Sequence, residues 1–253
     1  MYSWGVGSYG ALGFGSIEDV RQPTILDIMQ GGMRLNIVKI VCGKMHSMCL
    51  SSKKKIFTWG TGLNGRLGHG HDEDVLVPTE IQMLSNLRVI NISAGESHSA
   101  AITQTKKLYT WGNGSYGRLG TGFDVTQNKP VLVEDLAHKE MLKVSCGAFH
   151  TLVLSTEGYI YAFGQDKYGK LGLKSQEAEM KVRNTPVKVL PYVYEPSKSG
   201  NKKQLVFSNT LRFAQIVAGF NHSIALTRLG QVYTWGYNGY NLLGRKNQTT
   251  VPI

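Results

Sequence analysis

Cysteine, acidic residues and long apolar runs are all scarce in this sequence. The 253 residues contain three cysteines, an odd number that is typical of a reducing compartment and argues against a disulfide-stabilised fold. No apolar run reaches the length of about 18 residues that a membrane helix needs. Only 17 acidic residues oppose 28 Lys and Arg, and the net charge of +11 favours an acidic partner. We therefore expect an intracellular protein, nuclear or cytoplasmic, without a membrane span.

Glycine is abundant, with 30 residues, and it belongs to a repeat. An aromatic residue followed by glycine recurs at Trp4, Trp59, Trp111, Phe163 and Trp235. A second block, Ala or Cys followed by Gly-x-x-His and then Ser or Thr, recurs with His46, His98, His150 and His222. A period near 50 residues carried by glycines and aromatics predicts a solenoid or a propeller.

The local patterns predict β-structure in every repeat. Apolar Ile90, Ile92 and Ala94 alternate with polar residues before the second block, which indicates a half-buried strand. The apolar run after each repeated histidine does not alternate, which is typical of a strand buried on both faces. We predict an all-β propeller of four-stranded antiparallel blades, with about four to five repeats in a single domain over residues 1–253. The predicted units are 1–35, 36–85, 86–137, 138–210 with a hairpin-like insertion at about 190–212, and 211–253.

The glycine spacing also matches a dinucleotide-binding fingerprint, as in Gly60-x-Gly62-x-x-Gly65. No copy opens an amphipathic helix, and a phosphate loop is not needed once per repeat. In two copies the middle glycine is replaced by Asp166 or Asn238, residues that tolerate positive φ. We therefore expect a left-handed turn residue at this position, and no cofactor.

The repeated histidines and aromatic residues are expected to be structural, because a residue present in every repeat does not mark one special catalytic site. The structural set is Trp4, Trp59, Trp111, Phe163, Trp235, His46, His98, His150 and His222. An enzymatic interpretation depends only on the loop from His69 to Asp74, which has no recognised metal-ligand spacing. We predict no catalytic residue and no metal.

Two sets of residues are candidates for partner binding. Loop residues that recur after the aromatic-glycine pair are Tyr9, Arg66, Tyr116, Arg118, Tyr168, Lys170 and Tyr240. Tyrosine and arginine anchor protein interfaces; the alternative is tyrosine wedged between blades and arginine merely solvated. The insertion contributes Tyr192, Tyr194, Lys198, Lys202 and Lys203. It is either a projecting hairpin that binds a partner or a tolerated surface insertion.

The segment Trp-Gly-x-Gly-x-x-Gly-x-Leu-Gly, a distal proline and the Gly-x-x-His block together resemble the repeats of the regulator of chromosome condensation family. The resemblance covers nearly the whole chain. It implies a propeller, typically of seven blades, whose founding member is a nuclear exchange factor for the small GTPase Ran and also binds nucleosomes. Relatives serve as interaction domains in ubiquitin ligases, ciliary proteins and a plant UV-B photoreceptor.

Two departures from the family pattern limit what the resemblance implies. Five aromatic-glycine segments but four histidine blocks leave about two and a half repeats of a seven-bladed ring missing. The photoreceptor branch has tryptophan before the repeated histidine, and this sequence does not, which disfavours light sensing.

The expected function is a non-enzymatic interaction module that binds a protein partner through its loop face. Its most specific form is nucleotide exchange on a Ran-type GTPase with chromatin binding, for which the resemblance implies that the insertion acts as a wedge. The alternative is a scaffold domain of a larger ubiquitin-ligase, ciliary or cytoskeletal protein.

Overall fold

The computed structural model describes residues 1–173, 181–196, 203–245 and 252, and for 193–196 and 203–207 it describes the backbone alone. These residues form strands and three-residue 3-10 helices, and no α-helix occurs among them. The 3-10 helices are Ser8–Gly10, Leu63–Gly65, Gln82–Leu84, Ser115–Gly117, Glu134–Leu136, Lys167–Gly169 and Gly239–Asn241. In the described residues no helix is long and apolar enough to cross a membrane.

The strands form five main antiparallel sheets, which we number as blades 1 to 5. Blade 1 consists of β1 (Tyr2–Gly5) and β2 (Val20–Ile25), and a short hairpin of β3 (Met29–Gln30) and β4 (Met33–Arg34) follows it. Blade 2 consists of β5 (Ile37–Cys42), β6 (His46–Ser51), β7 (Ile56–Gly60) and β8 (Val75–Glu80). Blade 3 consists of β9 (Val89–Ala94), β10 (His98–Thr103), β11 (Leu108–Gly112) and β12 (Gln127–Leu132).

Blades 4 and 5 are separated by a hairpin. Blade 4 consists of β13 (Met141–Cys146), β14 (His150–Ser155), β15 (Ile160–Gln165) and β16 (Val182–Lys188). The hairpin pairs β17 (Tyr192–Pro196) with β18 (Lys203–Phe207). Blade 5 consists of β19 (Phe213–Ala218), β20 (His222–Thr227) and β21 (Val232–Gly236). The predicted all-β architecture of four-stranded antiparallel blades is confirmed.

The first strand of each complete blade is the innermost, and the inner strands β5, β9, β13 and β19 lie side by side. An inner strand has one edge without a strand partner, so its backbone groups need other partners. The preceding blade supplies several of them. Ser93 Oγ accepts a hydrogen bond from the Cys146 N–H at 2.9 Å, and Lys143 Nζ donates to the Ala214 carbonyl at 3.0 Å. Hydrogen bonds from side chains thus connect adjacent blades at the strand edge where no backbone hydrogen bonds between strands form.

The apolar core lies between blades, not inside them. One cluster combines Met48 and Ile81 of blade 2 with Ile92 and Trp111 of blade 3, and similar clusters join blades 1 and 2, 3 and 4, and 4 and 5. The second strands β6, β10 and β14 are buried along their whole length, as predicted from their unbroken apolar runs. The same prediction was wrong for β20, which is fully buried only at alternate positions, because no further blade among the described residues covers its other face. Each blade therefore depends on its neighbours for stability.

Because successive strands run in opposite directions, the connections lie on two opposite faces. The face that we call the glycine-loop face carries the turns at 43–45, 95–97, 147–149 and 219–221, together with the loops after each aromatic-glycine pair. The face that we call the turn face carries the turns at 52–55, 104–107, 156–159 and 228–231 and the connections between blades. The hairpin begins after β16 and therefore emerges on the turn face.

Candidate interaction surface

The repeated histidines link each blade to the next. Nε2 of His46, His98 and His150 lies 2.9, 2.9 and 3.0 Å from the hydroxyl oxygens of Ser99, Thr151 and Ser223, respectively. Burial lowers the pKa of all three imidazoles, that of His46 to about 3, so they are neutral at pH 7. These three neutral imidazoles therefore have a structural role, because their hydrogen bonds connect adjacent blades.

The repeated tryptophans form a second set of links. The indole N–H groups of Trp59, Trp111 and Trp235 donate to the carbonyls of Ala11, Arg66 and Lys170 in the preceding blades, at 2.9, 3.0 and 2.9 Å. Phe163 is equally buried but has no N–H to donate. Trp4 is 56% exposed, because in the described part of the chain no blade precedes it. The ring at this repeat position is therefore an inter-blade contact wherever a preceding blade exists.

The structure does not place Arg66, Arg118 and Lys170 on an exposed basic ring. Each side chain is at most 4% exposed. Arg118 donates to the carbonyls of Ser115, at 2.9 Å, and Ala148 of the next blade, at 3.2 Å. Arg66 is bonded in the same way. The sequence interpretation placed these residues in solvent, but their long stems fold inward and bring the charged groups to oxygen acceptors of the next blade.

Lys170 takes the place of the arginine in blade 4. Its ammonium donates to Gln165 Oε1 and to Asn221 Oδ1 of blade 5, both at 2.8 Å. Burial lowers the pKa of Lys170 to about 8 and that of Arg118 to about 10, because removal from water disfavours the charged form; nearby carboxylates, Asp166 for Lys170 and Glu96 for Arg118, oppose this shift only in part.

The middle position of the glycine loop is not left-handed, contrary to expectation. Gly62 has φ of −83° and Asp166 has φ of −99°. Glycine is required for space: a Cβ on Gly62 would lie 1.8 Å from the Glu73 carbonyl oxygen, and one on Gly114 would lie 2.0 Å from that of Val125. Blade 4 accommodates a side chain here, and Asp166 Oδ1 accepts the Leu171 N–H at 2.9 Å.

The left-handed residue of the loop is the tyrosine. Tyr9, Tyr116, Tyr168 and Tyr240 have φ between 57° and 65°, and Asn64 has φ of 60° in blade 2. This backbone turns the four tyrosines toward the glycine-loop face. Tyr240 is 97% exposed and Tyr9 is 46% exposed, whereas Tyr116 and Tyr168 are half-buried.

Aromatic side chains that the sequence interpretation did not select continue this surface. The rings of Tyr116 and Phe149 meet edge to face with centroids 5.8 Å apart, and Phe149 meets Phe220 in the same way at 6.1 Å. Each ring comes from a different blade, so they form a row across blades 3, 4 and 5. We call Tyr116, Phe149 and Phe220 the aromatic row. Tyr168 and Tyr237 form a further pair beside it, with centroids 4.8 Å apart.

The sequence marks the aromatic row in one way: Phe149 and Phe220 differ from the residues at the same positions of the other repeats. The position of Phe149 holds Met45, Ser97 and Asn221 in the other blades, and that of Phe220 holds Lys44, Glu96 and Ala148. The scaffold therefore does not need an aromatic ring at either position. Beside the row, small residues such as Gly95, Gly147 and Ala148 line a depression of about 400 Å³ at the inner ends of the blades, with Phe220 on its rim.

The described insertion candidates, Tyr192, Tyr194 and Lys203, lie on the opposite face. Tyr192 is half-buried at the base of the hairpin, and its N–H donates to the Pro252 carbonyl at 3.0 Å. Tyr194 and Lys203 belong to the paired strands, and Lys198 and Lys202 lie outside the described residues. The described members of the two sets of predicted site residues are therefore not brought together.

The His69 to Asp74 loop uses its polar groups internally. His69 Nε2 lies 2.9 Å from Thr58 Oγ1, and Asp74 Oδ1 accepts from Thr61 and from the Gly62 N–H. Among the residues that the structure describes, no group of three His, Cys, Asp or Glu side chains is arranged to hold a metal ion.

Comparison with known proteins places the chain among established relatives. The family model described as RCC1-like domain matches residues 1–252. The ultraviolet-B receptor UVR8 of Arabidopsis thaliana is 34% identical over 247 residues, which cover 98% of this chain and 51% of the receptor. The human E3 ubiquitin-protein ligase HERC2 is 35% identical over 246 residues, which cover 96% of this chain and 5% of the ligase. The chain thus spans about half of the receptor's length and a small part of the ligase's.

Two solved structures share the fold. Human WBSCR16 superposes with a TM-score of 0.79 at 24% identity, covering 100% of this chain and 61% of that one. Prp20p of Saccharomyces cerevisiae superposes with a TM-score of 0.73 at 24% identity, covering 95% of this chain and 55% of that one. At this identity the similarity shows the fold alone.

Proposed function

The chain belongs to the family of RCC1-like domains, and on that premise we propose that it is a non-enzymatic interaction module that binds a protein partner on its glycine-loop face. The observation that carries the proposal is the aromatic row of Tyr116, Phe149 and Phe220. Phe220 is 59% exposed although its ring packs edge to face on that of Phe149.

Most residues that recur from blade to blade already form contacts that hold the fold together. His46, His98 and His150, the tryptophans other than Trp4, and the buried cations form hydrogen bonds between blades, so these donors are already engaged in the fold. Phe149 and Phe220 are different, because sister blades fold with Ser97 and Ala148 at these positions. Phe149 is half-buried and Phe220 is exposed, and aromatic residues at the surface that the fold does not need are typical of interface anchors.

The test replaces the two phenylalanines by the residues of sister blades. Phe149→Ser/Phe220→Ala keeps every inter-blade bond described above. The matched control is Met83→Ser/Leu229→Ser, which removes two exposed apolar side chains, 54% and 83% exposed, from the turn face. Isotope-coded cross-linking in cells then compares both variants with the wild-type chain, after thermal melting has shown that all three are folded.

We expect at least one partner whose cross-linked yield falls about tenfold in Phe149→Ser/Phe220→Ala and stays unchanged in the control, as loss of a hot spot predicts. If every cross-linked protein responds equally to the two variants, the glycine-loop face is not the binding surface and the proposal fails.

A second candidate function is exchange on a Ran-type small GTPase with chromatin binding. The observations in its favour are the hairpin on the turn face and the net charge of +11. Prp20p, whose fold is similar, is described with binding properties to Gsp1p and histones. Exchange needs no side-chain chemistry, since tighter binding of the nucleotide-free state is sufficient.

Release of a fluorescent nucleotide from a Ran-type GTPase tests this candidate. Acceleration by the wild-type chain and loss of that acceleration on deletion of residues 197–203 are the expected results. Absence of acceleration by the wild-type chain rules the candidate out. Nucleosome binding is checked separately by gel shift.

The third form of the proposal is a docking domain within a larger ubiquitin-ligase, ciliary or cytoskeletal protein. It is supported by the 5% of HERC2 that the chain spans, and by zebrafish Nek8, a serine/threonine-protein kinase of which it spans 34%. In all three forms the chain acts inside the cell, in the nucleus or the cytoplasm. The cross-linking experiment distinguishes this form by the identity of the partner that it recovers.

A further inference from the structure

We infer that the glycine-loop face binds an acidic segment of its protein partner, with an apolar side chain packed on Phe149 and Phe220 and carboxylates above Arg118 and Lys170. This inference rests on the proposed function and names the chemistry of the partner.

Two positively charged side chains lie beneath the aromatic row. The Arg118 guanidinium lies 4.7 Å from the centroid of the Phe149 ring, and the Lys170 ammonium lies 5.3 Å from it. Neither cation forms an ion pair with a carboxylate of the described residues. Their hydrogen bonds go to neutral oxygens of backbone carbonyls and amide side chains. Two buried cations without direct counter-ions favour a negative charge brought to the surface above them.

The carboxylates nearby do not cancel this field. Glu96 and Asp124 act on Arg118, and Asp166 acts on Lys170. Glu96 is already paired with Lys44 at 2.8 Å, and one carboxylate oxygen of Asp166 accepts the Leu171 N–H. Burial lowers the pKa of Arg118 to about 10 and that of Lys170 to about 8, and at these values both side chains still carry their charge at pH 7.

The cations already in contact with the Phe149 ring restrict which partner side chains can pack on it. An aromatic face normally attracts cations, but Phe149 already contacts two of them. A lysine or arginine of a partner would therefore meet repulsion at this ring. An aliphatic or aromatic side chain meets none, and beside Phe220 it finds the depression of about 400 Å³, which is lined mainly by small apolar residues and also by the paired Lys44 and Glu96. The surface thus selects a segment that combines an apolar anchor with acidic neighbours.

The probe is a phage-displayed library of random peptides selected on the wild-type chain. Enriched peptides are then measured by fluorescence polarisation, each against a counterpart with Asp→Asn and Glu→Gln. We expect enriched sequences that pair an apolar residue with at least two acidic residues. The neutral counterparts should bind about tenfold more weakly, and rising salt should weaken the acidic peptides.

Ser115 offers a matched pair of charge variants. It is exposed, it precedes Tyr116, and the same loop position in blade 4 is Lys167, so a long side chain is tolerated there. Ser115→Glu should weaken peptide binding about five- to tenfold and Ser115→Lys should strengthen it, while both variants melt like the wild type. Phe149→Ser/Phe220→Ala should abolish binding.

Several results overturn the inference: enrichment of neutral or basic peptides, no enrichment, equal affinities of the two Ser115 variants, or full binding by Phe149→Ser/Phe220→Ala. Preferential displacement of the peptide by a single-stranded RNA oligonucleotide also overturns it, because the anion would then be a nucleic acid. These results leave the proposed function intact whenever the cross-linking experiment still shows a partner on the glycine-loop face. If the cross-linking experiment shows no partner on the glycine-loop face, both this inference and the proposed function are wrong.

Discussion

His98 of blade 3 donates through Nε2 to the Thr151 hydroxyl of blade 4, at 2.9 Å. That hydroxyl donates its own proton to the Arg118 carbonyl at 2.8 Å, so the imidazole must carry its proton on Nε2. Nδ1 is buried without a partner. Gly95 stands against the ring, where an added Cβ would lie 2.5 Å from Cε1. The repeated Gly-x-x-His block is therefore a connection between two blades.

This connection makes the fold sensitive to acid. Burial lowers the pKa of His98 well below 6.5, so the folded chain keeps the ring neutral while the unfolded chain protonates it. The free energy of unfolding therefore falls as the pH drops below about 6.5, by up to about 1.4 kcal/mol per pH unit for each such histidine. For His46, whose folded pKa is about 3, the loss continues down to that pH.

His98→Gln tests this prediction, because glutamine can donate to Thr151 and does not titrate. Denaturant unfolding at about pH 7 and about pH 5 should show a shallower acid dependence for the variant than for the wild type. His138→Gln, at an exposed histidine on the turn face, is the control and should keep the wild-type slope. Equal slopes for all three proteins would contradict the mechanism.

Trp111→Phe should destabilise the chain by about 1 kcal/mol, the usual net value of one hydrogen bond, plus the effect of a smaller ring. The lost bond joins the indole N–H to the Arg66 carbonyl at 3.0 Å. Blade 4 shows that phenylalanine fits this position. Trp4→Phe is the control and should change little, because Trp4 is 56% exposed. Chemical denaturation measures both, and similar losses would refute the role of the N–H.

Arg118→Glu should unfold or strongly destabilise the protein, by about 3–5 kcal/mol, because a carboxylate would be buried against two carbonyl oxygens. Lys167→Glu reverses a charge in the same kind of loop at an exposed side chain and should stay within about 0.5 kcal/mol. Thermal melting distinguishes these results. If Arg118→Glu melts like the wild type, Arg118 does not bridge the blades.

Gly114→Ala should cost about 2 kcal/mol or more, since the new methyl group would lie 2.0 Å from the Val125 carbonyl oxygen and the loop must move. Asp166→Asn at the equivalent position of blade 4 should be well tolerated, because blade 5 has Asn238 there, with Oδ1 accepting the Leu243 N–H at 3.0 Å. Comparable losses in denaturation for both variants would contradict the steric explanation.

The sequence interpretation succeeded where one residue type recurs at one spacing. The blades, the antiparallel strands and the buried second strands could be predicted, because a β-strand buried on both faces needs an unbroken apolar run. It was wrong about the solvent exposure of Arg66, Arg118 and Lys170, which are buried, and about the backbone at Gly62, which is not left-handed. A charged residue in a glycine-rich loop suggests solvent exposure, and nothing in the local sequence shows that another blade covers it.

The amino-acid sequence by itself determined the repeat, the strand pattern and the membership of one family, because backbone hydrogen bonding and apolar periodicity act over a few residues. The tertiary structure alone decided which loop residues reach solvent. Phe149 lies between Tyr116 and Phe220 because three blades bring residues that are far apart in the chain to one face. Packing between blades buries the cations and leaves Tyr116 and Phe149 half-buried and Phe220 exposed, and no spacing within a single repeat encodes that contact.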